Sequence, residues 1–371
     1  MKRILHISKF YPPYVGGIET VCHEIIAHSP RYRHRVICFN GDRDSVDEVY
    51  EGIGVTRVGP CANVASQPVS FSYFDRLKKL IASFDPDIIH FHVPNPLVSL
   101  YLLLVIPRQC KLIVHYHAEI RTSRTIYTCY RPIERWLFRR ADVIVTTSPD
   151  LLMGTKALEK YRDKCSVVEN MISTSELDLL PDDQKRIEAV KRRFDNKPII
   201  LAFGRHVPYK GFKYLIEAEK TIKNDCAIVI GGKGPLTQEL KAMSDSPRIH
   251  FVGRIPDDEL KIYLHAASVF AFPSITSAEA FGIVLLQAMY CKVPPVTFTI
   301  PASGVNYVNR NGVTGIEVEN SNAAAFAEAI DTLLSDRSLR TEMGIAGRDR
   351  VIRNFTWESI AVKMAEIYDS L

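Results

Sequence analysis

Two hydrophobic patterns alternate along most of the chain. Short apolar runs are typical of strands buried in a parallel sheet, and the stretches between them, with apolar residues three or four apart, predict helices. The predicted strands are Ile4–Ile7, Val36–Phe39, Ile88–Phe91, Leu112–Val114, Val143–Thr146 and Val167–Val168, then Ile199–Phe203, Ala227–Ile230, His250–Val252, Val269–Phe272 and Pro295–Phe298. The predicted helices include Ile18–His28, Phe74–Phe84 and Ile133–Arg140, then Phe212–Thr221, Pro235–Met243, Asp257–Ala266 and Ile283–Tyr290. Two successive series of this kind predict an α/β protein with two doubly wound domains.

A polar, proline-marked segment from Leu179 to Arg186 separates the two series. It predicts a first domain over residues 1–180 and a second over residues 181–355. Residues 356–371 form a last helix, with Thr356 as its N-cap and apolar positions at helical spacing.

The composition is that of an ordinary globular protein, with 46% hydrophobic and 24% charged residues among 371. A net charge of +5 is too small to suggest a nucleic-acid partner. The eight cysteines are scattered without a CxxC pair, which favours free thiols in a reducing compartment. The apolar run 97–106 is about half as long as a membrane span, and no signal peptide is recognisable. We therefore expect a cytoplasmic protein.

Ligands of open α/β sheets bind outside the carboxyl ends of the strands, so the loops there are the candidate chemistry. Gly16 and Gly17 follow the first strand and open a helix. They are either a plain tight turn or a place where backbone N–H groups meet an anion. The loop is not GxGxxG, which argues against a dinucleotide-binding oxidoreductase.

Histidines end two further strands of the first half, as His90 with His92 and as His115 with His117. Each could hydrogen-bond a sugar or move a proton, or could simply be a buried structural residue. A metal site is disfavoured, because no carboxylate or cysteine set close in sequence completes the ligands.

Three loops of the second half carry charge or glycine. Arg205 and Lys210 lie between Gly204 and Gly211 and suit a diphosphate, although such loops are often only solvated. The segment is not a P-loop, because Phe212 follows Gly211. Gly231–Gly234 is a weaker signal of the same kind.

The segment from Glu279 into the next predicted helix is the most informative. The N–H groups of residues 281–284, including Phe281, Gly282 and Ile283, are expected to be unpaired first-turn donors that favour a phosphate. Gln287 lies eight residues after Glu279, so one could meet a sugar and the other a ribose. Glu279 could instead only cap the helix.

In this order and spacing, these motifs resemble those of the retaining glycosyltransferases of family 4, over essentially the whole chain. The resemblance rests on Gly16-Gly17, His117, Gly204-Arg205 with Lys210-Gly211, the Glu279–Gly282 segment and the closing Phe355–Glu358 segment. It implies the GT-B fold, with two Rossmann-like domains facing across a cleft and the last helix crossing back to the first domain. The first domain would bind the acceptor, and the second a nucleotide sugar.

The resemblance also implies roles for particular residues. Arg205 and Lys210 would bind the diphosphate, Glu279 the sugar hydroxyls, and Gln287 the ribose. Further donor contacts would come from the backbone of Phe281, Gly282, Ile283, Arg254 and Ile255, from Gly16 and Gly17, and from His117 near the sugar and the acceptor. No metal or other cofactor is expected, because the two cations and a helix terminus take its place.

One position departs from the family pattern, which usually has glutamate where Gln287 stands. The amide offers one acceptor group where a carboxylate offers two oxygens, so weaker donor binding is expected.

The segment Ser303–Asn309 and the surroundings of Glu279 are most similar to mannosyltransferases that use GDP-mannose. The implied acceptor is a lipid-linked oligosaccharide of surface polysaccharide assembly, such as O-antigen or capsule. A UDP-hexose donor, a GT-B nucleotide-sugar epimerase and a non-catalytic nucleotide-sugar-binding protein stay open as alternatives.

Six arginines and several aromatic residues alternate between Arg121 and Arg140. The arginines are Arg121, Arg124, Arg131, Arg135, Arg139 and Arg140, and the apolar residues among them are Tyr127, Tyr130, Trp136, Leu137 and Phe138. This pattern predicts either a peripheral contact with an anionic membrane surface or a solvated helix with a buried stripe.

Overall fold

The structure is a computed structural model that describes residues 1–14, 16–64, 67–119 and 124–371, without the side chains of residues 64 and 124. It divides into two compact units. Unit 1 comprises residues 1–170 with 357–371, and unit 2 comprises residues 171–356. Among the described residues, no helix combines the length and apolar character that a membrane crossing requires.

Unit 1 is built on a mainly parallel sheet. Its strands are β1 (Arg3–Ile7), β2 (Arg33–Phe39), β3 (Val46–Tyr50), β4 (Ile53–Val58), β5 (Ala62–Val64), β6 (Gln67–Val69), β7 (Ile88–Val93), β8 (Lys111–Tyr116), β9 (Val143–Thr146) and β10 (Cys165–Val167). Its helices in this part of the chain are α1 (Gly17–Ala27), α2 (Ser72–Phe84), α3 (Pro96–Val105), α4 (Arg124–Arg140) and α5 (Pro149–Gly154).

Eight of these strands form one sheet in the order β10-β9-β8-β7-β1-β2-β4-β3, and β5 pairs with β6 apart from it. Only β3 runs antiparallel within the eight. The central strand β7 is buried at all six positions, as helices on both faces of a parallel sheet require.

Unit 2 repeats the alternation with a fully parallel six-stranded sheet of order β13-β12-β11-β14-β15-β16. Its elements are α6 (Asp183–Arg193), β11 (Ile199–Phe203), α7 (Phe212–Glu219), β12 (Ala227–Gly231), α8 (Thr237–Ala242), β13 (Ile249–Gly253), α9 (Asp257–Ala266), β14 (Val269–Phe272), α10 (Ile283–Tyr290), β15 (Pro295–Phe298), α11 (Val305–Val308), β16 (Ile316–Val318), α12 (Ala323–Ser335) and α13 (Arg337–Asn354). The strand order reverses between β11 and β14, which places a topological switch point at their carboxyl ends.

The last helix, α14 (Trp357–Ser370), belongs to unit 1. Trp357 stacks on His28 with ring centroids 4.4 Å apart, and Lys363 Nζ lies 2.6 Å from Glu169 Oε2. Tyr368 is fully buried, and its hydroxyl lies 2.7 Å from His90 Nδ1. These contacts attach the helix to the face of the sheet that also carries α1.

The boundary between the two units along the chain differs from the expected one. The sequence placed the boundary after residue 180, whereas unit 2 begins at Met171. Ile172 and Leu177 are buried in the core of unit 2, and Ile172 N–H donates to Phe355 O at 3.1 Å. The polar segment Leu179–Arg186 is therefore not a linker along its length, because it already enters α6 at Asp183.

Candidate active site

Two loops of unit 2 are held together at the switch point. Gly211 caps α7 with φ +62°, and a Cβ there would lie 2.1 Å from Pro273 O. The N–H of Ile275 donates to Tyr209 O at 2.9 Å. Since only glycine allows both this φ and this approach, Gly211 brings the loop after β11 against the loop after β14.

Lys210 and Glu279 form an ion pair where these loops meet. Their side chains are only 13% and 12% exposed. Ser274 Oγ donates to Glu279 Oε2 at 3.2 Å, and the Ser303 hydroxyl donates to the Glu279 carbonyl. The pair is fixed in a partly dry site, where charge interactions are stronger than in water. Sequence analysis missed both serines, whose role depends on the fold of the loops.

Arg205 lies on the same loop as Lys210 and is exposed. Burial raises the pKa of Tyr209, while the charges of Lys210 and Arg205 act in the opposite direction, so both cations lie near that ring. Within the described ranges, the Arg205 guanidinium has no ion-pair partner. It is therefore available to an anion.

The loops after β12 and β13 pack against the loop that carries Arg205. Gly232 has φ +113°, and a Cβ there would lie 1.9 Å from Gly204 O. Gly232 N–H also donates to Gly253 O at 2.6 Å. The glycine-rich segment, a weak signal in the sequence, is thus part of the site wall, and it adds the exposed Lys233 that sequence analysis did not single out.

The next candidates lie just after β13. Arg254 is exposed and pairs with Asp257 at 3.5 Å. The Ile255 side chain packs against Gly231, since a Cβ on that glycine would lie 2.7 Å from Ile255 Cδ1. Their backbone therefore lies beside the glycine-rich loop.

The amino end of α10 differs from expectation in one respect. The helix begins at Ile283 after Gly282, which has φ +85°. The unpaired N–H groups of its first turn are thus those of Ile283 and Val284, because Leu285 and Leu286 donate to Gly282 O. Phe281 precedes the helix and is a core residue, 2% exposed and edge-on to Phe355. Glu279 does not cap this helix, because no side chain does so and its carboxylate pairs with Lys210. Gln287 is half-buried one turn further on.

In unit 1, His117 follows β8 and is 5% exposed. Its Nε2 lies 3.0 Å from His92 Nδ1, and its N–H donates to Val93 O. Burial lowers the pKa of His117 to about 3, so the ring is neutral at physiological pH. A neutral ring can donate or accept a hydrogen bond but brings no charge.

Gly16 and Gly17 open α1 as expected, since the helix begins at Gly17. Gly16 has extended backbone, and a Cβ there would lie 2.2 Å from Glu19 Oε2. The Glu19 carboxylate thus folds back onto the loop, and its burial raises its pKa. An anion that binds here has to displace or neutralise Glu19, so phosphate contact at Gly17 stays a prediction.

The basic segment separates into two kinds of residue. Arg131, Arg135 and Arg139 are exposed at helical spacing on α4. Arg140 is half-buried and donates to Cys110 O at 2.6 Å. Arg121 lies outside the described residues, as does the side chain of Arg124.

The aromatic residues among these arginines belong to the core. Tyr130, Leu137 and Phe138 are buried, and Trp136 packs against the same cluster. Tyr127 is half-buried and donates to Glu134 Oε2 at 2.8 Å. The aromatic part of the predicted membrane surface therefore forms a largely buried stripe, whereas Arg131, Arg135 and Arg139 are exposed.

Comparison with known proteins places the chain in a family. The model of glycosyltransferase family 4 matches residues 15–176, and that of the glycosyl transferases group 1 matches residues 183–350. The chain is 27% identical to the O-antigen chain mannosyltransferase C of Escherichia coli, over 100% of this chain and 98% of that protein. It is 30% identical to the D-rhamnosyltransferase WbpZ of Pseudomonas aeruginosa, over 95% of this chain and 92% of that protein.

The fold agrees with solved structures of such enzymes. The sucrose-phosphate synthase of Thermosynechococcus elongatus superposes with a TM-score of 0.80 at 20% identity, over 100% of this chain and 99% of that one. The chain belongs to glycosyltransferase family 4 and has the GT-B fold. It is a glycosyltransferase of polysaccharide biosynthesis.

Proposed function

We propose that this glycosyltransferase moves mannose from GDP-mannose to a lipid-linked oligosaccharide, with retention of the anomeric configuration. The names of the two relatives support the sugar, because D-rhamnose is the 6-deoxy form of D-mannose. The observation that carries the proposal is the Lys210–Glu279 pair at the switch point of unit 2, with Arg205 on the same loop.

The negative charge of the leaving group explains why two cations lie at this site. When the anomeric C–O bond breaks, its electron pair goes to the β-phosphate oxygen, and negative charge develops on the diphosphate. Lys210 and Arg205 stabilise that charge, as preorganised cations do in a site of low dielectric. The first-turn N–H groups of Ile283 and Val284 add the positive end of α10. We propose that these groups do the work a metal does elsewhere, so the reaction needs no cofactor.

The Glu279 carboxylate interacts with the sugar of the donor. Glu279 accepts hydrogen bonds from sugar hydroxyls and stabilises the positive charge that develops at the anomeric carbon. The acceptor oxygen bonds to that carbon on the face that the phosphate leaves, and its proton passes to the departing phosphate oxygen. This step conserves atoms and charge without a second carboxylate as base.

The remaining contacts bind the rest of the donor. Gln287 hydrogen-bonds the ribose, and the backbone of Arg254 and Ile255 faces the base. The backbone of Phe281 and Gly282 assists Glu279, and the backbone of Gly16 and Gly17 meets the phosphates. His117 serves as a neutral hydrogen-bonding group near the sugar and the acceptor.

A product assay tests the donor. The purified protein is incubated with GDP-mannose, GDP-D-rhamnose or a UDP-hexose, each together with a synthetic polyprenyl-diphosphate oligosaccharide. The masses of the products are measured by mass spectrometry. We expect one added hexose with GDP-mannose and an α-linked product by NMR. Faster transfer from the UDP-hexose or the deoxy sugar would refute the donor assignment. Donor consumption without acceptor would indicate an epimerase.

We also propose a peripheral membrane contact through α3 and α4, which pack together. Leu104 on α3 is 63% exposed, and α4 bears three exposed arginines along one face. Exposed cationic and apolar side chains on two packed helices suit an anionic lipid surface.

Vesicle sedimentation tests this contact. We expect binding to anionic vesicles that falls as salt rises, and at least a severalfold loss when Arg131, Arg135 and Arg139 become Gln. The control replaces Lys185, Lys191 and Arg192, which are exposed on α6 of unit 2. Equal loss in both triple variants, or binding indifferent to salt, would refute the surface.

A further inference from the structure

Unit 1 contains a buried group of six histidines that the proposed reaction does not use, apart from His117. Strand register explains the cluster, because His6 pairs with His90 and His92 with His115, and residues two apart on a strand share a face. The six are His6, His34, His90, His92, His115 and His117, none more than 8% exposed. Burial lowers the pKa of each one. Three ring-to-ring hydrogen bonds join them, and each needs one unprotonated ring nitrogen as its acceptor.

The hydrogen bonds fix which lone pair of His6 is free. His34 Nε2 lies 2.9 Å from the Ser29 carbonyl, an acceptor, so this nitrogen carries the proton. His34 Nδ1 is then bare and accepts from His6 Nε2 at 3.1 Å. It follows that His6 Nδ1 is unprotonated, and it has no hydrogen-bond partner in the described part of the chain.

A second ring and a thiol lie close to His6. His92 uses Nδ1 toward His117, and its Nε2 has no partner within the described ranges. Cys22, on the buried face of α1, is the third member. One ligand atom from each of His6, Cys22 and His92 lies within 4.8 Å of the other two, and all three residues are 0% exposed.

Unpartnered buried ring nitrogens are costly, and a metal ion is a partner that satisfies them. We propose that His6, Cys22 and His92 bind one soft transition-metal ion, with Cu⁺ as the best match. Two imidazoles and a thiolate are a ligand set for copper or zinc. Burial raises the pKa of the Cys22 thiol, so its proton leaves only as the metal binds and is released to solvent. The resulting thiolate gives a neutral site with Cu⁺ and leaves a buried positive charge with Zn²⁺, so the burial favours Cu⁺.

The spacing needs only a small adjustment. Metal–nitrogen and metal–sulfur bonds of about 2.0–2.3 Å hold tetrahedral ligand atoms about 3.3–3.8 Å apart, so closure is on the order of 1 Å. A neighbouring trio, His90, His92 and His115, is a poorer site. Both nitrogens of His90 are already engaged, with Tyr368 Oη at 2.7 Å and His115 Nδ1 at 3.2 Å.

Occupancy has a consequence for His117. A metal on His92 Nε2 leaves the proton of that ring on Nδ1, which donates to His117 Nε2. His117 then carries its own proton on Nδ1. The ion would thus set the tautomer of a residue one step away, without contact with the sugar donor.

Metal analysis tests the site independently of the sugar assays. The protein is produced in medium supplemented with copper or with zinc, because a buried site is loaded during folding, and is purified anaerobically. We expect about one Cu per chain by plasma mass spectrometry, and a loss of most of it in Cys22→Ala. The matched control is Cys38→Ala, which removes a buried thiol from the same apolar cluster and should keep the metal.

The outcomes separate the possibilities. One zinc and no copper per chain would support the site and overturn the choice of Cu⁺. Metal-free protein from both media, or full occupancy in Cys22→Ala, would overturn the site itself. Should Cys22→Ala fail to fold, X-ray absorption of the wild-type protein decides, since a spectrum with one sulfur and two nitrogen neighbours supports the site and one without sulfur refutes it.

Discussion

The two units place opposite kinds of group at the carboxyl ends of their parallel strands. In unit 1, β7 and β8 present buried neutral histidines, and the pKa of His117 is lowered to about 3. In unit 2, β11 and β14 are followed by an ammonium and a carboxylate that are partly open to solvent. The same scaffold thus carries a site without charge and a site with charge.

The difference follows from where each group lies. His90, His92 and His115 lie on the strands themselves, and His117 directly follows β8, all of them buried where desolvation disfavours the protonated ring. Lys210 and Glu279 lie on loops beyond the strands, where each keeps a charged partner and some water. Loops held on a rigid sheet can therefore keep fixed charge beside some water.

The largest effect is expected for Lys210→Ala, which removes one member of the charged pair. We expect kcat/KM for the donor to fall about 10²- to 10³-fold, because the cation that faces the leaving diphosphate is lost. Steady-state release of nucleoside diphosphate measures it. Lys213→Ala, which removes an exposed lysine three residues away, is the control and should change little. A loss below about tenfold in Lys210→Ala would contradict the assigned role.

Acid should unfold unit 1 before unit 2. A histidine with a lowered folded-state pKa is protonated more readily when unfolded, so the free energy of unfolding falls as pH drops below about 6.5. Unit 1 has six such buried rings. Both tryptophans, Trp136 and Trp357, lie in unit 1, so their fluorescence reports its urea midpoint. We expect that midpoint to decrease steeply from about pH 7 to pH 5 and the decrease to lessen in His115→Phe.

A midpoint that is flat over this interval would contradict neutral histidines in the core. Far-UV circular dichroism, which reports both units, should show a second transition that depends less on pH. If the two signals coincide at every pH, the units unfold in one cooperative transition. That result would contradict a separate, more acid-sensitive unfolding of unit 1.

The two arginines of the donor loops should behave differently. We expect Arg205→Ala to lower kcat and kcat/KM together, about 10- to 100-fold, because its charge acts on the leaving group. Arg254→Ala should raise KM at most a few fold, since its exposed side chain pairs with Asp257 and only its backbone is assigned to the donor. Equal effects in the two variants would show that neither guanidinium acts at the transition state.

The smallest expected change is Gln287→Glu. A charged acceptor for the ribose hydroxyls should tighten GDP binding about 2- to 10-fold in calorimetry. Gln238→Glu adds the same charge at an exposed position of α8 and should leave the affinity unchanged. Equal or poorer binding in Gln287→Glu would contradict the ribose contact.

The sequence predicts the charged site better than the neutral one. Lys210 and Glu279 each follow a recognisable buried strand, and the rule that ligands bind beyond carboxyl ends was enough to single them out. The histidine cluster depends on which strands pair and in what register, and apolar runs do not specify this. The sequence shows no cysteine close to these histidines, yet α1 lays Cys22 beside His6 and His92.

Two of the strands that escaped prediction have weak patterns for physical reasons. Strand β3 is an antiparallel edge strand whose first four residues are exposed, so it lacks a buried run. The three residues of β16 are only half-buried. The backbone of Phe281 stays assigned to the donor, and its side chain fills the core, which a single aromatic residue in a loop does not reveal.

The membership of α14 in unit 1 has a consequence for synthesis of the chain. Unit 1 lacks Tyr368 and the partner of Glu169 until the ribosome has also translated all of unit 2. At about 5–20 residues per second this delay lasts roughly ten to forty seconds. Unit 1 is thus synthesised first but completed last, because His90 gains its contact with Tyr368 only after unit 2 has been translated.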